Sequence, residues 1–511
     1  MKTCLPCIVL IVLLASCSNE SKETKKPEAL VTTEMHRPRL HFSPKEKWMN
    51  DPNGLVYYNN VWHLFYQYYP DSTVWGPMHW GHATSTDLIH WQHQPIALYP
   101  DSLGYIFSGS AVVDVNNTSG FGKEGKPPIV AIFTHHDPKG EAAGKNDYQN
   151  QGIAYSNDEG KTWTKYAGNP VLKNPGIKDF RDPKVSWHEE TKKWMMALAT
   201  LDRITFYSSP DLKNWTKESE FGRAIGAHGG VWECPDLFAL DYHGKKIWVL
   251  LVSINPGGPN GGSATQYFTG QFDGKTFTPY DTETKWIDYG PDDYAGVTWS
   301  NTGNRRVFIG WMSNWQYGTV VPTQKWRSAM TVPRELSLEK VGQKYFIRSE
   351  PVNEITYGNR ADQSMQRGVI QKREYDVSAD AGGHTGPAKL SLYSYSTKDF
   401  SITLSNTKGE KLVMGYDSKT NQYYIDRTAS GKTDFEKGFA ARHTAPRISK
   451  EESMDCTLII DDASVELFAD HGLTLMTEIF FPNEVYNSII FRSPDSLKLE
   501  GVEYWKLKSI W

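Results

Sequence analysis

Short apolar strands recur along the first two-thirds of the chain on one repeating plan. Five segments each open on a small or acidic residue, continue as a short strand, turn through polar residues and return as a second strand rich in branched and aromatic side chains. They open at Asp51-Pro52, Ser108-Gly109-Ser110, Asp182-Pro183, Glu233-Cys234-Pro235 and Asp292-Asp293, in steps of 51 to 74 residues. The first reads Leu55-Val56-Tyr57-Tyr58, a turn at Asn59-Asn60, then Trp62-His63-Leu64-Phe65-Tyr66. Between them a second hairpin recurs around Asp87-Leu88-Ile89-His90-Trp91, Asp158 to Trp163, Asp211 to Trp215 and Asp273 to Phe277. A period near 60 residues marks a repeat architecture. Hairpin plus hairpin makes a four-stranded sheet, and five sheets set radially predict a five-bladed β-propeller over residues 36–338, in preference to an open sandwich.

After Pro333 the register breaks. From about residue 345, alternating runs such as Ser401-Ile402-Thr403-Leu404, Lys411-Leu412-Val413-Met414 and Thr457-Leu458-Ile459-Ile460 predict a C-terminal β-sandwich over 345–511. The fold class is therefore all-β. The sandwich is expected to stabilise the propeller rather than to contact carbohydrate, because no aromatic cluster in it stands out as a sugar platform.

The one long apolar run, Ile8 to Ala15, is about half the length of a membrane-spanning helix. Behind Met1-Lys2 it reads as a secretory signal over residues 1–16. It ends in Leu14-Ala15-Ser16-Cys17, which resembles the bacterial lipobox, so Cys17 is the expected site of lipidation. The polar stretch that follows makes residues 17–35 a flexible tether. The expectation is a cell-envelope lipoprotein held by a lipid anchor, at the surface or periplasmic face of the outer membrane. Cys4 and Cys7 fall in the signal, which leaves Cys234 and Cys456 and hence at most one disulfide.

Charge removes other partners. Lys+Arg 55 against Asp+Glu 59 gives no cationic excess for nucleic acid. Aromatic residues at 13%, with 42 Gly and 28 Pro, suit many short strands joined by tight turns. A monomer with no metal and no cofactor is expected.

If the first strand of every unit is innermost, then Asp51, Ser108, Asp182, Glu233 and Asp292/Asp293 stand at equivalent places around one funnel. Paired carboxylates flanking a glycosidic bond are the machinery of glycoside hydrolysis. The aromatics near them, Trp48, Phe65, Trp75, Trp80, Phe107, Trp232, Trp311 and Trp315, divide between sugar stacking and packing between blades. A calcium loop of D-x-D-x-D-G type is missing, as is a G-x-S-x-G elbow.

Four blocks then carry a resemblance: Trp48-Met49-Asn50-Asp51-Pro52-Asn53-Gly54, Phe107-Ser108-Gly109-Ser110, Phe180-Arg181-Asp182-Pro183 and Trp232-Glu233-Cys234-Pro235. In order and spacing they resemble glycoside hydrolase family 32, the invertases, inulinases and levanases. Gly310 to Trp315 and Ser464 to Phe468 look like two further blocks. The resemblance implies a propeller followed by a sandwich, and a retaining hydrolase of β-fructofuranosidic linkages in fructans (levan or inulin) or sucrose. It implies Asp51 as nucleophile, Glu233 as acid/base and Asp182 as transition-state stabiliser. Asn50, Asn53, Gln67, Trp75, Phe107, Ser108, Arg181 and Trp315 would bind the fructosyl unit. The alternatives are a propeller glycosidase on arabinan or xylan, and a non-catalytic fructan-binding lipoprotein.

Overall fold

The structure is a computed structural model that describes Met1, residues 34–384 and residues 386–511. The expected signal peptide, Cys17 and nearly all of the expected tether lie outside the described residues.

Five antiparallel sheets follow one another along the chain. Blade I runs Lys47–Tyr58, Val61–Tyr69, His79–Ser85 and Gln92–Leu98; blade II runs Tyr105–Val113, Ile129–His136, Gln149–Ser156 and Thr164–Lys165. Blade III holds Phe180–His188, Lys193–Thr200, Arg203–Ser209 and Thr216–Phe221, and blade IV Val231–Tyr242, Lys245–Asn255, Ala264–Phe272 and Phe277–Pro279. Blade V holds Tyr294–Thr298, Val307–Met312, Arg334–Val341 and Lys344–Pro351. The first strands of successive blades touch in a closed ring, blade V returning to blade I. The ring is also tied by Trp326–Arg327, which pairs in parallel with Lys47 and Trp48.

Second strands such as Ile129–His136 are buried along their whole length, because neighbouring blades cover both faces. The recurrent aspartate motif is the turn from third to fourth strand. Asp87 Oδ1 accepts the Ile89 and His90 amides, Asp211 Oδ1 those of Lys213 and Asn214, and Asp273 Oδ1 those of Lys275 and Thr276.

The domain boundary falls later than the sequence suggested. Lys344–Pro351 pairs with Arg334–Val341, which pairs with Val307–Met312, so the propeller ends at Pro351 and not near 338. A loop of about 20 residues separates the inner and outer strands of blade V and hides the unit in the sequence. The sandwich follows as two six-stranded sheets. In one of them Phe400–Ser405 alternates strictly between buried and half-buried positions, as the sequence pattern required.

Asp292 and Asp293 are corrected. Both are buried: Asp292 Oδ2 meets Arg427 of the sandwich at 2.7 Å, and Asp293 Oδ2 meets Arg334 of blade V at 2.9 Å, whose guanidinium in turn pairs with Glu466 of the sandwich. They lock the domains together and do not face the funnel.

Candidate active site

Every innermost strand carries a β-bulge at the funnel. The ladder skips between Met49 and Pro52, Ile106 and Gly109, Glu233 and Asp236, and Tyr294 and Val297, and it skips Leu198 opposite Asp182 and Pro183. A bulge adds a residue on one strand and re-aims its side chain. In blades III, IV and V the bulged residues are Asp182, Cys234 and Ala295, with φ of 64°, 44° and 53°. Left-handed backbone at residues other than glycine is a strained choice that clusters at functional sites. The bulges align Arg181, Glu233 and Tyr294 as one set and Asp182, Cys234 and Ala295 as the next. The sequence reading had instead aligned Asp182 with Glu233 and with Asp292/Asp293.

These bulges surround a pocket of about 240 Å³. It is lined by Asn50, Asp51, Gln67, Trp75, Phe107, Ser108, Arg181, Asp182, Glu233 and Trp315, and also by His136, Glu141, Tyr148, Gln149 and Asp179. Asn53 is the exception among the sequence-derived residues. It is buried beside the pocket, with its amide 3.4 Å from the Asp51 carbonyl, so it braces the backbone there. Trp48, Trp80, Trp232 and Trp311 are fully buried between blades. Gly54, at φ 59°, admits Trp80: a Cβ there would sit 2.5 Å from the indole ring.

Asp51 is held on both oxygens. Trp48 Nε1 donates to Asn50 Oδ1 at 2.7 Å, which turns the Asn50 amide nitrogen to Asp51 Oδ1 at 3.0 Å. Ser108 Oγ donates to Asp51 Oδ2 at 2.9 Å. Burial, then the charge of Glu233, pushes the Asp51 pKa up against these donors. Asp182 is pushed up to about 7, by burial first and then by Glu233 and Asp51, although Arg181 opposes the rise.

Glu233 is clamped from two sides. Arg181 donates to Oε1 from Nη2 at 2.8 Å and from Nε at 3.1 Å, and the Tyr294 hydroxyl donates to Oε2. Arg181 is itself anchored by Asp179 at 2.7 Å. Cys234 lies beneath: its thiol is 3.6 Å from both Asp51 Oδ2 and Asp182 Oδ2. Cys234 and Cys456 are both free thiols.

Sequence reasoning missed Tyr294, His136, Glu141, Tyr148, Gln149 and Asp179. Tyr294 had a signal, since it follows Asp292-Asp293 at the opening of the fifth unit. Gln67 Nε2 is buried in the pocket without a partner among the described residues, a donor left for a hydroxyl-bearing ligand. Three carboxylates, aromatic walls at Trp75, Phe107 and Trp315, and this amide equip the pocket for acid/base and nucleophilic chemistry on a sugar.

Comparison with known proteins agrees with this chemistry. The levanase of Bacillus subtilis (strain 168) is 44% identical over 490 residues, covering 94% of this chain and 71% of that protein. The extracellular exo-inulinase inuE of Aspergillus niger is 40% identical, covering 93% of this chain and 95% of that protein. The crystal structure of exo-inulinase from Aspergillus awamori superposes with a TM-score of 0.85 at 37% identity, over 94% of this chain and 99% of that one. Residues 41–350 match the N-terminal domain of glycosyl hydrolases family 32 and residues 348–506 match its C-terminal domain, so the chain belongs to glycosyl hydrolase family 32.

Proposed function

We propose that this protein is an exo-acting, retaining β-fructosidase that removes terminal fructosyl units from fructans and from sucrose. The carrying observation is the set of three carboxylates at a pocket of about 240 Å³. That volume is below the ~300–1,000 Å³ of sites that enclose drug-sized ligands; it suits one sugar ring with its linkage at the mouth. Relatives named levanase and exo-inulinase support fructan as the substrate class.

Asp51, with its oxygens fixed by Asn50 and Ser108, attacks the anomeric carbon of the fructosyl ring. Glu233 protonates the departing glycosidic oxygen, then takes a proton from the water that cleaves the fructosyl-enzyme. Two inversions give net retention. Asp182 accepts ring hydroxyls that tighten as positive charge grows at the anomeric carbon, and Arg181 keeps Glu233 in place. Outside the described residues, Leu14-Ala15-Ser16-Cys17 supports export and anchoring through Cys17.

Chromatography of products from levan, inulin and sucrose tests the reading, with Asp51→Asn as control. Fructose alone supports it; an oligosaccharide ladder overturns exo action, and no product from any of the three overturns the fructosidase. Proton NMR of the first-formed anomer tests retention. Palmitate labelling that persists in Cys17→Ala overturns the anchor.

A further inference from the structure

Half of the pocket wall is not used by the three carboxylates. Beyond Arg181 it continues over blade II with His136, Glu141, Tyr148 and Gln149. His136 ends the second strand of that blade, Gln149 opens the third, and the connection between them holds the short helix Pro138–Ala142. This connection is a fixed rim. The Asp137 amide donates to the Tyr148 carbonyl at 2.8 Å, and Gly140 lies so close that an added Cβ would be 3.2 Å from Tyr148 Cβ.

Connectivity alone fixes the proton on His136. Gln149 Oε1 accepts the Phe180 amide at 2.8 Å, and a backbone N–H can only donate. The Gln149 amide nitrogen therefore faces His136 Nδ1 at 3.2 Å and donates to it. Nδ1 carries the lone pair and Nε2 the hydrogen, and Glu141 Oε2 lies 3.1 Å from Nε2. Burial lowers the His136 pKa and Arg181 adds to this, against Glu141 and Asp137, which favours the neutral ring. The imidazole also lies flat on Phe107, ring centroids 4.2 Å apart and planes 8° from parallel. So oriented, the Glu141 side chain is 52% exposed, and its other oxygen has no protein donor among the described residues.

We propose that Glu141, oriented by His136, binds the leaving sugar, its carboxylate accepting hydroxyls of the unit that departs when the fructosyl bond breaks. The proposal rests on the fructosidase reading and adds the residue that sorts leaving groups. The acid protonates the glycosidic oxygen, so the departing sugar lies on the Glu233 side of the fructosyl ring. Glu233 is clasped by Arg181, Arg181 Nη1 reaches Gln149 Oε1 at 3.5 Å, and Gln149 holds His136. The rim therefore stands beside the acid. An ionised carboxylate only accepts hydrogen bonds, and a polyol offers vicinal donors that an aryl group lacks.

The test compares kcat/KM on sucrose, on β-2,1- and β-2,6-linked fructosyl disaccharides and on p-nitrophenyl β-fructofuranoside. Variants are Glu141→Ala, Glu141→Gln and His136→Phe, the last of which keeps a ring on Phe107 and removes the Nε2–H that stands beside Glu141. Glu141→Ala is expected to lower kcat/KM on the disaccharides by about tenfold or more, the scale of a hydrogen bond to a charged group, and to spare the aryl donor. Glu141→Gln and His136→Phe should lose less, with the same selectivity. An equal loss on all four donors, or no loss on any, overturns the proposal. A wild-type enzyme inert on all four would instead overturn the fructosidase reading.

Discussion

The Cys234 amide donates to Asp182 Oδ2 at 3.0 Å, and the Cys234 thiol stands 3.6 Å from the same oxygen. The sulfur is equally far from Asp51 Oδ2, so one weak donor spans two of the three carboxylates. Burial, with Asp182 and Asp51 adding, pushes the thiol pKa well up, which keeps it protonated and unreactive. Cys234→Ser retains a donor and should leave kcat/KM within about threefold of wild type. Cys234→Ala removes it and should cost about three- to tenfold, the range of a modest hydrogen bond. Side-by-side rates on sucrose check this, and equal losses would assign the residue to packing alone. Iodoacetamide at pH 8 should leave the native enzyme active.

Glu233 is proposed to serve first as acid, and the acid step matters only where the leaving group is poor. Glu233→Gln should lower kcat on sucrose by about 10²–10⁴-fold. On fructosyl fluoride, whose leaving group needs no proton, formation of the fructosyl-enzyme should survive. Azide should then restore turnover by replacing the water that needs a base. Equal losses on sucrose and the fluoride would place Glu233 outside the proton transfer.

Tyr294→Phe removes the hydroxyl that donates to Glu233 Oε2 and leaves the ring in place. A loss confined to kcat, about ten- to hundredfold, is expected from one hydrogen bond to a charged group. Steady-state kinetics that show a rise in KM with kcat unchanged would make Tyr294 a substrate-binding residue instead.

The sequence exposed what repeats locally. Each blade carries its own strand pattern, blades I to IV carry their own Asp turn, and the bulge motifs around Asp51, Asp182 and Glu233 are contiguous in the chain. Relationships formed by bulges or across long separations stayed hidden. The shift that sets Tyr294 level with Glu233 depends on a left-handed residue at Cys234 and Ala295, which composition does not reveal. Asp292 and Asp293 have the right residue type at nearly the right place, yet their partners Arg427 and Arg334 lie 135 and 41 residues away. The rim formed by His136 and Glu141 sits in a connection with no repeat equivalent in the other blades.

Asp182 should make the free enzyme less stable as pH rises. Its pKa is raised to about 7, so its stabilising contribution is complete below the ordinary carboxylate value near 4 and is lost as pH rises through 7. Asp182→Asn carries no charge, and its amide oxygen can still accept the Cys234 amide. Its melting temperature should match that of wild type at pH 4 and exceed it at pH 8. A wild type more stable than the variant at pH 8 would show that the charge is better compensated than the geometry implies.

The opposite kind of group, a base, holds the two domains together. His41 Nδ1 lies 2.8 Å from Asp461, and Nε2 lies 2.8 Å from Glu466, all three side chains fully buried. Glu466 also accepts Arg334 Nε at 3.0 Å and the Val332 amide at 2.7 Å, and Arg334 reaches Asp288 and Asp293 of the propeller. Burial by itself would lower the imidazole, but the two carboxylates lift it to about 9. A base raised on folding stabilises fully below its unfolded value near 6.5, and that stability disappears as pH rises through 9. Denaturant titrations should therefore show wild type losing on the order of 3 kcal/mol between pH 6 and pH 10 from this group. His41→Asn should be less stable at pH 6 and show a shallower loss toward pH 10, since an amide does not titrate. Arg334→Met should cost about 3–5 kcal/mol at both pH values, because it leaves buried carboxylates without their cation. An alkaline loss as steep in His41→Asn as in wild type would move the titration to another group.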